Sequence, residues 1–256
     1  MKLDRRYVEK PWGRTALPSI FDAPENKRIG EVWFTGADDA PLLVKYLFTS
    51  ERLSIQVHPD DDEARARGLQ RGKTECWTIL DAEQDAMLGL GLRREVSKDE
   101  LRAAALDGSI EELMDWRPVS PGDFFLVPPG TIHAIGGGIS LLEFQQNSDV
   151  TYRLYDYGRP RELHLDDGVD VARPAPYPDS LHQHLSPSGM RTLVDGPPFV
   201  LEYSHSDVLD DRQRWVIPLE GEVRDGADVA RPGDCLLVDA GQSIDVNGRA
   251  LIGATA

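Results

Sequence analysis

Residues 121–133 read Pro-Gly-Asp-Phe-Phe-Leu-Val-Pro-Pro-Gly-Thr-Ile-His, a short apolar segment enclosed by turn-forming residues. Phe124–Val127 has the length and composition of a buried strand, and Pro-Gly and Pro-Pro-Gly are strong turn signals. The arrangement returns at 232–241 as Pro-Gly-Asp-Cys-Leu-Leu-Val-Asp-Ala-Gly. Because such self-similarity indicates a repeated structural unit, we expect two copies of one β unit in this chain.

Most of the remaining chain has the same character, with short apolar or alternating runs separated by Pro, Gly and Asp. The clearest runs are 42–49, 53–57, 77–80, 140–144 and 151–155. Two stretches look helical, 60–67 and 97–116, and the second opens with a capping box formed by Ser97 and Glu100. We therefore predict a mainly β fold with a small helical insertion, about 95–116, in the first β unit.

Residues 170–190 are rich in proline and serine, which is typical of a linker. We therefore expect a catalytic domain at 1–169, a linker at 170–190 and a second β domain at 191–256. Within the linker, His182-Gln183-His184 is interpreted as part of a solvated loop. The repeat aligns His133 with Ile244, so the second unit is expected to be degenerate and to stabilise the fold.

The bulk composition limits the partners that this protein can have. The chain has 256 residues and a net charge of −16, and such a surface repels nucleic acid and anionic lipid. The apolar runs are too short to span a membrane, and the N-terminal residues do not resemble a signal peptide. Cys76 and Cys235 fit no zinc-ribbon or redox spacing, so we expect reduced thiols in a cytoplasmic protein. The oligomeric state is left open.

The residues that indicate chemistry are Gln56, His58, Glu75 and His133. Residues two apart in a strand point to the same face, so Gln56 and His58 can approach one point. Glu75 lies in a second strand-like run, and His133 follows the Pro-Pro-Gly turn. Two imidazoles, a carboxylate and an amide oxygen make a four-ligand set for a divalent metal. Zinc takes His and carboxylate ligands, but glutamine is an unusual partner, so Mn, Fe, Co and Ni stay open.

Several segments resemble the type I mannose-6-phosphate isomerases in their short bacterial form. The segments are Lys10–Gly13, Gly30–Trp33, Leu53–Asp60, Gly72–Glu75, Pro128–Ala134 and Gln146–Arg153. These enzymes belong to the cupin superfamily, so the resemblance implies a double-stranded β-helix jelly roll with two cupin-like units. It also implies an isomerase that interconverts mannose 6-phosphate and fructose 6-phosphate, and we hypothesise that this reaction passes through a cis-enediol intermediate. The large helical domain of longer members is missing here or reduced to the insertion.

The resemblance also implies roles for individual residues. It places one zinc ion per chain on Gln56, His58, Glu75 and His133. Its catalytic residues correspond to Lys73, Glu143 and Arg153, and its substrate-binding residues to Ser54, Lys45 and, more loosely, Arg159. A sugar phosphate is an anion, and Arg153, Arg159, Lys45 and Lys73 would supply a local cationic pocket in an acidic protein. Lys73 and Glu143 are alternative general bases, and the sequence does not choose between them.

Two other functions are also considered. One is a metal cupin of another class, such as an iron dioxygenase or an epimerase, although dioxygenase cupins usually have more histidine ligands. The other is a non-catalytic sugar-binding cupin, although the four metal-binding residues together with Lys73 and Arg153 favour catalysis. The exact sugar and the need for its phosphate group stay open.

Overall fold

The computed structural model describes residues 1–37, 39–186, 190–206 and 211–256, and this part of the chain is built mainly from strands. The strands are β1 (Asp4–Arg14), β2 (Ile29–Thr35), β3 (Leu42–Phe48), β4 (Ile55–Val57), β5 (Glu75–Ala82), β6 (Met87–Leu92), β7 (Met114–Pro118), β8 (Asp123–Val127), β9 (His133–Ile135), β10 (Ile139–Gln146), β11 (Tyr152–Tyr155), β12 (His182–His184), β13 (Arg191–Val194), β14 (Phe199–Ser204), β15 (Arg214–Asp225), β16 (Asp228–Ala230), β17 (Leu236–Val238) and β18 (Asp245–Thr255). The helices are α1 (Asp61–Ala66), α2 (Lys98–Asp107), α3 (Ile110–Leu113) and α4 (Leu165–Val171), with a 3-10 turn at Asp179–Leu181. Within the described ranges, no helix has the length and apolar character needed to cross a membrane.

The two predicted helical stretches are both present, but the second is shorter than predicted. Ser97 caps α2 by accepting a hydrogen bond from the Glu100 backbone N–H, which satisfies one donor of the first turn. The helix ends at Gly108, whose φ of 86° lies in the left-handed region that favours glycine. After the short helix α3, the chain turns into strand β7, which pairs with β6. The prediction that the helical stretch continues to Trp116 is therefore wrong.

The strands form three antiparallel sheets in the described part of the chain. Their orders are β1-β2-β3-β10-β5-β8-β12, β11-β4-β9-β6-β7 and β13-β14-β18-β15-β16, with β17 paired to β15. The first two sheets share an apolar core in which Leu47 and Phe125 of the first sheet pack with Leu88 and Ile135 of the second. The mainly β prediction is confirmed. The centre of this two-sheet unit is where side chains from both sheets can meet.

The third sheet packs on the first through a shared cluster of buried aromatic and aliphatic side chains. Phe144 of β10 and Phe199 of β14 make an edge-to-face contact with ring centroids 5.0 Å apart. Gly253 of β18 lies so close to the Phe144 ring that any side chain at position 253 would collide with the ring. Phe144 is adjacent in sequence to Glu143, so this contact supports the strand that carries one of the predicted catalytic residues.

The stretch 170–190 is more ordered than a solvated linker in its described part. Tyr177 is buried, and its single O–H group lies within hydrogen-bond distance of the carbonyl oxygens of Leu126 (2.7 Å) and Leu181 (3.0 Å). His182–His184 forms β12, which pairs with β8 at the edge of the first sheet. The interpretation of His182-Gln183-His184 as a solvated loop is therefore wrong, because a long-range strand pairing orders it. The division into 1–169, 170–190 and 191–256 stays a proposal.

The contact between Phe144 and Gly253 leads to a stability prediction. A Cβ atom at position 253 would lie 2.2 Å from Phe144 Cζ, so Gly253→Ala must displace a buried ring. Overpacking of this kind costs about 1–3 kcal/mol of unfolding free energy, measurable by denaturant titration. The double variant Gly253→Ala with Phe144→Leu should lose less stability than the sum of the single variants. Unchanged stability in Gly253→Ala would contradict this packing.

Candidate metal centre and the cavity beside it

Three neighbouring strands of the second sheet carry three of the predicted site residues. Gln56 of β4 is paired in register with His133 of β9 on one side and with Arg153 of β11 on the other. His58 follows β4 directly, and the alternation of the extended chain turns it to the same face as Gln56. The sheet register, and not proximity in sequence, therefore brings residues 56, 133 and 153 together.

Glu75 approaches this group from the opposite sheet, as the first residue of β5. Its Oε1 atom lies 3.3 Å from His133 Nε2 and 3.6 Å from His58 Nε2. The possible ligand atoms of His58, Glu75 and His133 all lie within 4.8 Å of one another, and the three residues are buried. The structure thus gathers two imidazoles and one carboxylate that are distant along the chain.

The protonation states of these residues suit a divalent metal. Burial lowers the pKa of His58 to about 3, helped by the charge of Lys73, and burial also lowers the pKa of His133. The pKa of Glu75 lies well below its usual range, because Lys73 and the imidazoles outweigh the effect of its burial. Metals bind neutral imidazoles and ionised carboxylates, and these are the forms that the site favours.

An unpaired polar atom also fits a metal. Within the described residues, the buried Oε1 atom of Glu75, which faces the Nε2 atoms of His58 and His133, has no hydrogen-bond partner. His133 Nδ1 lies 2.9 Å from the carbonyl oxygen of Thr131, which orients the ring with Nε2 toward Glu75. A buried polar atom without a partner costs free energy unless an ion satisfies it, so the residues present fit a metal ion of this kind.

Gln56 lies beside the group but presents its amide differently from what a ligand requires. Its Nε2 atom is 3.2 Å from His133 Nε2, and its Oε1 atom accepts a hydrogen bond from the Ser54 hydroxyl at 3.1 Å. An amide binds a metal through oxygen, so Gln56 would join the ligand set after a half-turn of its side-chain amide. Ser54, predicted to contact substrate, holds Gln56 in the orientation seen here.

A cavity of about 400 Å³ lies next to the group, with Gln56 and Glu75 in its wall. The predicted residues Ser54, Lys45, Lys73, Glu143 and Arg153 also line it. Arg159 is absent from the lining, and its guanidinium contacts the Asp156 carboxylate and the carbonyl oxygen of Arg52 instead. Arg161, two residues further on, lies in the wall where Arg159 was expected.

Sequence reasoning missed several other residues that line the cavity. They include Lys10, Trp12, Glu31, Asp149, Arg161, Glu162 and His164. Lys10, Trp12, Glu31 and Asp149 lie within the segments that carry the family resemblance, so a signal was present although no role was assigned. Arg161, Glu162 and His164 lie in the connection between β11 and α4, which has no regular secondary structure. Strand alternation therefore cannot predict which way their side chains point.

Each lysine in the cavity wall faces a carboxylate. Lys73 Nζ lies 2.8 Å from Glu75 Oε2 and 3.5 Å from Glu143 Oε1, and Lys45 Nζ lies 3.9 Å from Glu143 Oε1. Burial raises the pKa of Glu143 to about 7, even though Lys45 and Lys73 oppose this. Burial alone would lower the pKa of Lys73, but Glu75 and Glu143 raise it above its usual value. Lys73 is therefore held as a cation, whereas the pKa of the Glu143 carboxyl group lies close to neutral pH.

The sequence of the chain is related to those of two bacterial mannose-6-phosphate isomerases. No family model matches the chain. The chain is 37% identical over 233 residues to the mannose-6-phosphate isomerase ManA of Bacillus subtilis, a match covering 74% of each protein. It is 42% identical over 169 residues to the mannose-6-phosphate isomerase of Streptococcus mutans, covering 63% of this chain and 53% of that protein.

Solved structures agree with the sequence relatives. The crystal structure of the mannose 6-phosphate isomerase from Bacillus subtilis matches with a TM-score of 0.82 and 29% identity, covering 100% of this chain and 99% of that one. A variant of the phosphomannose isomerase from Salmonella typhimurium matches with a TM-score of 0.77, covering 99% and 98% of the two chains. At 15% identity, the second match supports the fold alone.

The fold and the buried His58–Glu75–His133 group define a cupin-fold protein with a candidate metal centre. The prediction of a cupin fold is confirmed. The chain belongs to the mannose-6-phosphate isomerase family, as its resemblance in short motifs predicted.

Proposed function

We propose that this protein is a metal-dependent aldose–ketose isomerase that interconverts mannose 6-phosphate and fructose 6-phosphate. The observation that carries the proposal is the convergence of His58, Glu75 and His133 beside a charged cavity lined by Glu143, Lys73 and Arg153. The names of the two sequence relatives support the same substrates. Cys76 and Cys235 are buried free thiols, which supports a reducing compartment such as the cytoplasm.

We propose zinc as the metal, one ion per chain, held by His58, Glu75 and His133 with Gln56 alongside. Zinc prefers imidazole and carboxylate ligands and keeps an open position in catalytic sites. When bound, the ion would act as a Lewis acid toward an oxygen atom of the sugar. Its positive charge would also satisfy Glu75 Oε1, which has no hydrogen-bond partner in the described part of the chain.

Aldose–ketose isomerisation moves a proton between C1 and C2, so the site needs a base next to these carbons. Glu143 is the better candidate, because it lines the cavity and its buried Oε1 atom has no hydrogen-bond partner among the described residues. Lys73 is engaged by Glu75 at 2.8 Å and is held as a cation. We assign to Lys73 the tasks of keeping Glu75 ionised and of stabilising negative charge on the substrate.

Arg153 completes the proposed machinery. Its backbone is paired with Gln56, its side chain lines the cavity, and its Nη1 atom donates to the carbonyl oxygen of Glu162. Removal of the proton from carbon on the way to a cis-enediol places negative charge on oxygen, as an enediolate, and a guanidinium positioned in the wall stabilises such charge. Ser54 and Lys45 remain proposed substrate contacts on the same wall.

The proposed activity is tested by a coupled assay that follows the conversion of mannose 6-phosphate to fructose 6-phosphate. Turnover should be lost after treatment with a chelator and restored by zinc, because the substrate oxygen then lacks its Lewis acid. Circular dichroism before and after chelation checks that the fold is retained. A folded, zinc-loaded protein that does not convert either sugar phosphate would refute the proposal.

The assignment of the base is tested by comparing Glu143→Gln with Lys73→Met. Loss of a general base lowers kcat by roughly 10²–10⁴-fold, so Glu143→Gln should fall in this range with its zinc content unchanged. Lys73→Met should retain more turnover at saturating zinc, since it leaves the base in place. Near-normal kcat in Glu143→Gln would exclude Glu143 as the base, and the reverse order of losses would favour Lys73.

A further inference from the structure

The charges in the cavity wall do not by themselves explain how an anionic substrate would be held. The lining contains five cationic side chains, from lysines 10, 45 and 73 and arginines 153 and 161, and five carboxylates, from residues 31, 75, 143, 149 and 162. The three lysines each face one of these carboxylates. Attraction of a phosphate group must therefore come from a cation whose charge is not cancelled inside the cavity.

Arg153 and Arg161 meet this condition, but Arg153 is already assigned to the negative charge that develops on the sugar oxygen, which leaves Arg161 for the phosphate group. The Nε and Nη2 atoms of Arg161 donate to the two carboxylate oxygens of Asp156 at 2.6 and 2.7 Å, a side-on bidentate pair. Asp156 is 2% exposed and does not line the cavity, so it holds the guanidinium without adding a negative charge to the cavity wall. Arg161 Nη1 makes no hydrogen bond with the described residues and is left for a ligand.

The charge of Arg161 is also only partly neutralised. Asp156 Oδ1 is shared with Arg159, whose Nη2 atom lies at 3.1 Å, so one carboxylate serves two guanidiniums. Arg159 donates in addition to the carbonyl oxygens of Asp156 and Arg52, and its guanidinium lies over the Tyr157 ring. The connection from 156 to 161 therefore carries an excess of positive charge and presents only Arg161 to the cavity.

We infer that Asp156 is a positioning residue that fixes Arg161 as the phosphate-recognising group of this site. The inference rests on the proposed function, since it assigns the part of the site that prefers a phosphorylated sugar. Asp156 follows β11 directly, so the strand that carries Arg153 also sets the position of this carboxylate. A guanidinium locked in this way binds phosphate oxygens with little loss of side-chain freedom, and its planar fork matches their geometry.

The test measures the affinity of the zinc-loaded protein for glucitol 6-phosphate by calorimetry. This compound carries the phosphate but lacks the carbonyl group, so it cannot turn over. Arg161→Gln and Asp156→Asn should each weaken binding by about tenfold, the loss expected for one charge-assisted hydrogen-bonded contact. The KM for mannose 6-phosphate should rise by a similar factor, with kcat changed by less than about threefold in both variants.

A double-variant cycle separates positioning from a merely structural role. If Asp156 acts through Arg161, Asp156→Asn should cause no further loss of affinity in the Arg161→Gln background. Arg161→Lys keeps the positive charge but lacks the planar guanidinium. Its affinity should therefore lie between those of the wild-type protein and Arg161→Gln. The matched control is Asp115→Asn, which removes one carboxylate contact of Arg117 (Arg117 Nε to Asp115 Oδ2, 2.8 Å) among residues that do not line the cavity, and it should leave binding unchanged.

Three results would overturn the inference. The first is unchanged affinity in Arg161→Gln, a variant that leaves Asp156 in place and carries the test even if Asp156→Asn fails to fold. The second is an additive loss in the double variant, and the third is a loss reproduced by Arg159→Gln but not by Arg161→Gln. The wild-type protein could also bind glucitol 6-phosphate through Arg161 without isomerising mannose 6-phosphate. That result would refute the proposed function but support Arg161 as the phosphate-recognising group.

Discussion

The buried carboxylate of Glu75 is the constraint on which the rest of the site depends. An unpaired charge at this depth would be very costly, and the cost is offset only by groups that reach Glu75 from several directions. Lys73 approaches at 2.8 Å along the same chain segment, while the imidazoles of His58 and His133 approach from the opposite sheet. The two sheets must therefore keep their relative position for the Glu75 carboxylate to remain ionised. The packing of the fold thus determines the charge state of the site.

The same compensation extends across the first sheet. Lys10 of β1, Glu31 of β2, Lys45 of β3, Glu143 of β10 and Lys73 just before β5 follow the order of adjacent strands and alternate in sign. The direct pairing of Lys45 with Glu143 in the ladder shows how strand register creates this row. Because the row is nearly balanced, it can hold ionised groups in a buried wall without attracting anions in general. Selection for a sugar phosphate is then left to the arginines on the opposite side of the cavity.

Local sequence rules predicted the parts of the site that depend on local geometry. Gln56 and His58 share a face because they are two residues apart in an extended chain, and the repeated turn-strand-turn pattern indicated a β architecture with two related units. Features set by long-range pairing were missed. His182-Gln183-His184 forms a strand only because β8 offers an edge. Arg161 lines the cavity and Arg159 does not, since the Arg159 guanidinium donates to the carbonyl oxygen of Arg52 as well as to Asp156. Gly108 is a residue type that often ends a helix, and its φ of 86° in the structure fits that role. The predicted helical stretch nevertheless extends past Gly108, because apolar residues continue beyond it.

The most direct measurement of the central claim is anomalous X-ray diffraction from crystals of the zinc-loaded protein, recorded on both sides of the zinc absorption edge. The account predicts one strong peak per chain at about 2.0–2.2 Å from the Nε2 atoms of His58 and His133 and from a carboxylate oxygen of Glu75. In the structure refined from the same crystals, the amide oxygen of Gln56 should face the ion. A peak held by other residues, or no bound zinc while these three side chains remain together, would contradict the account.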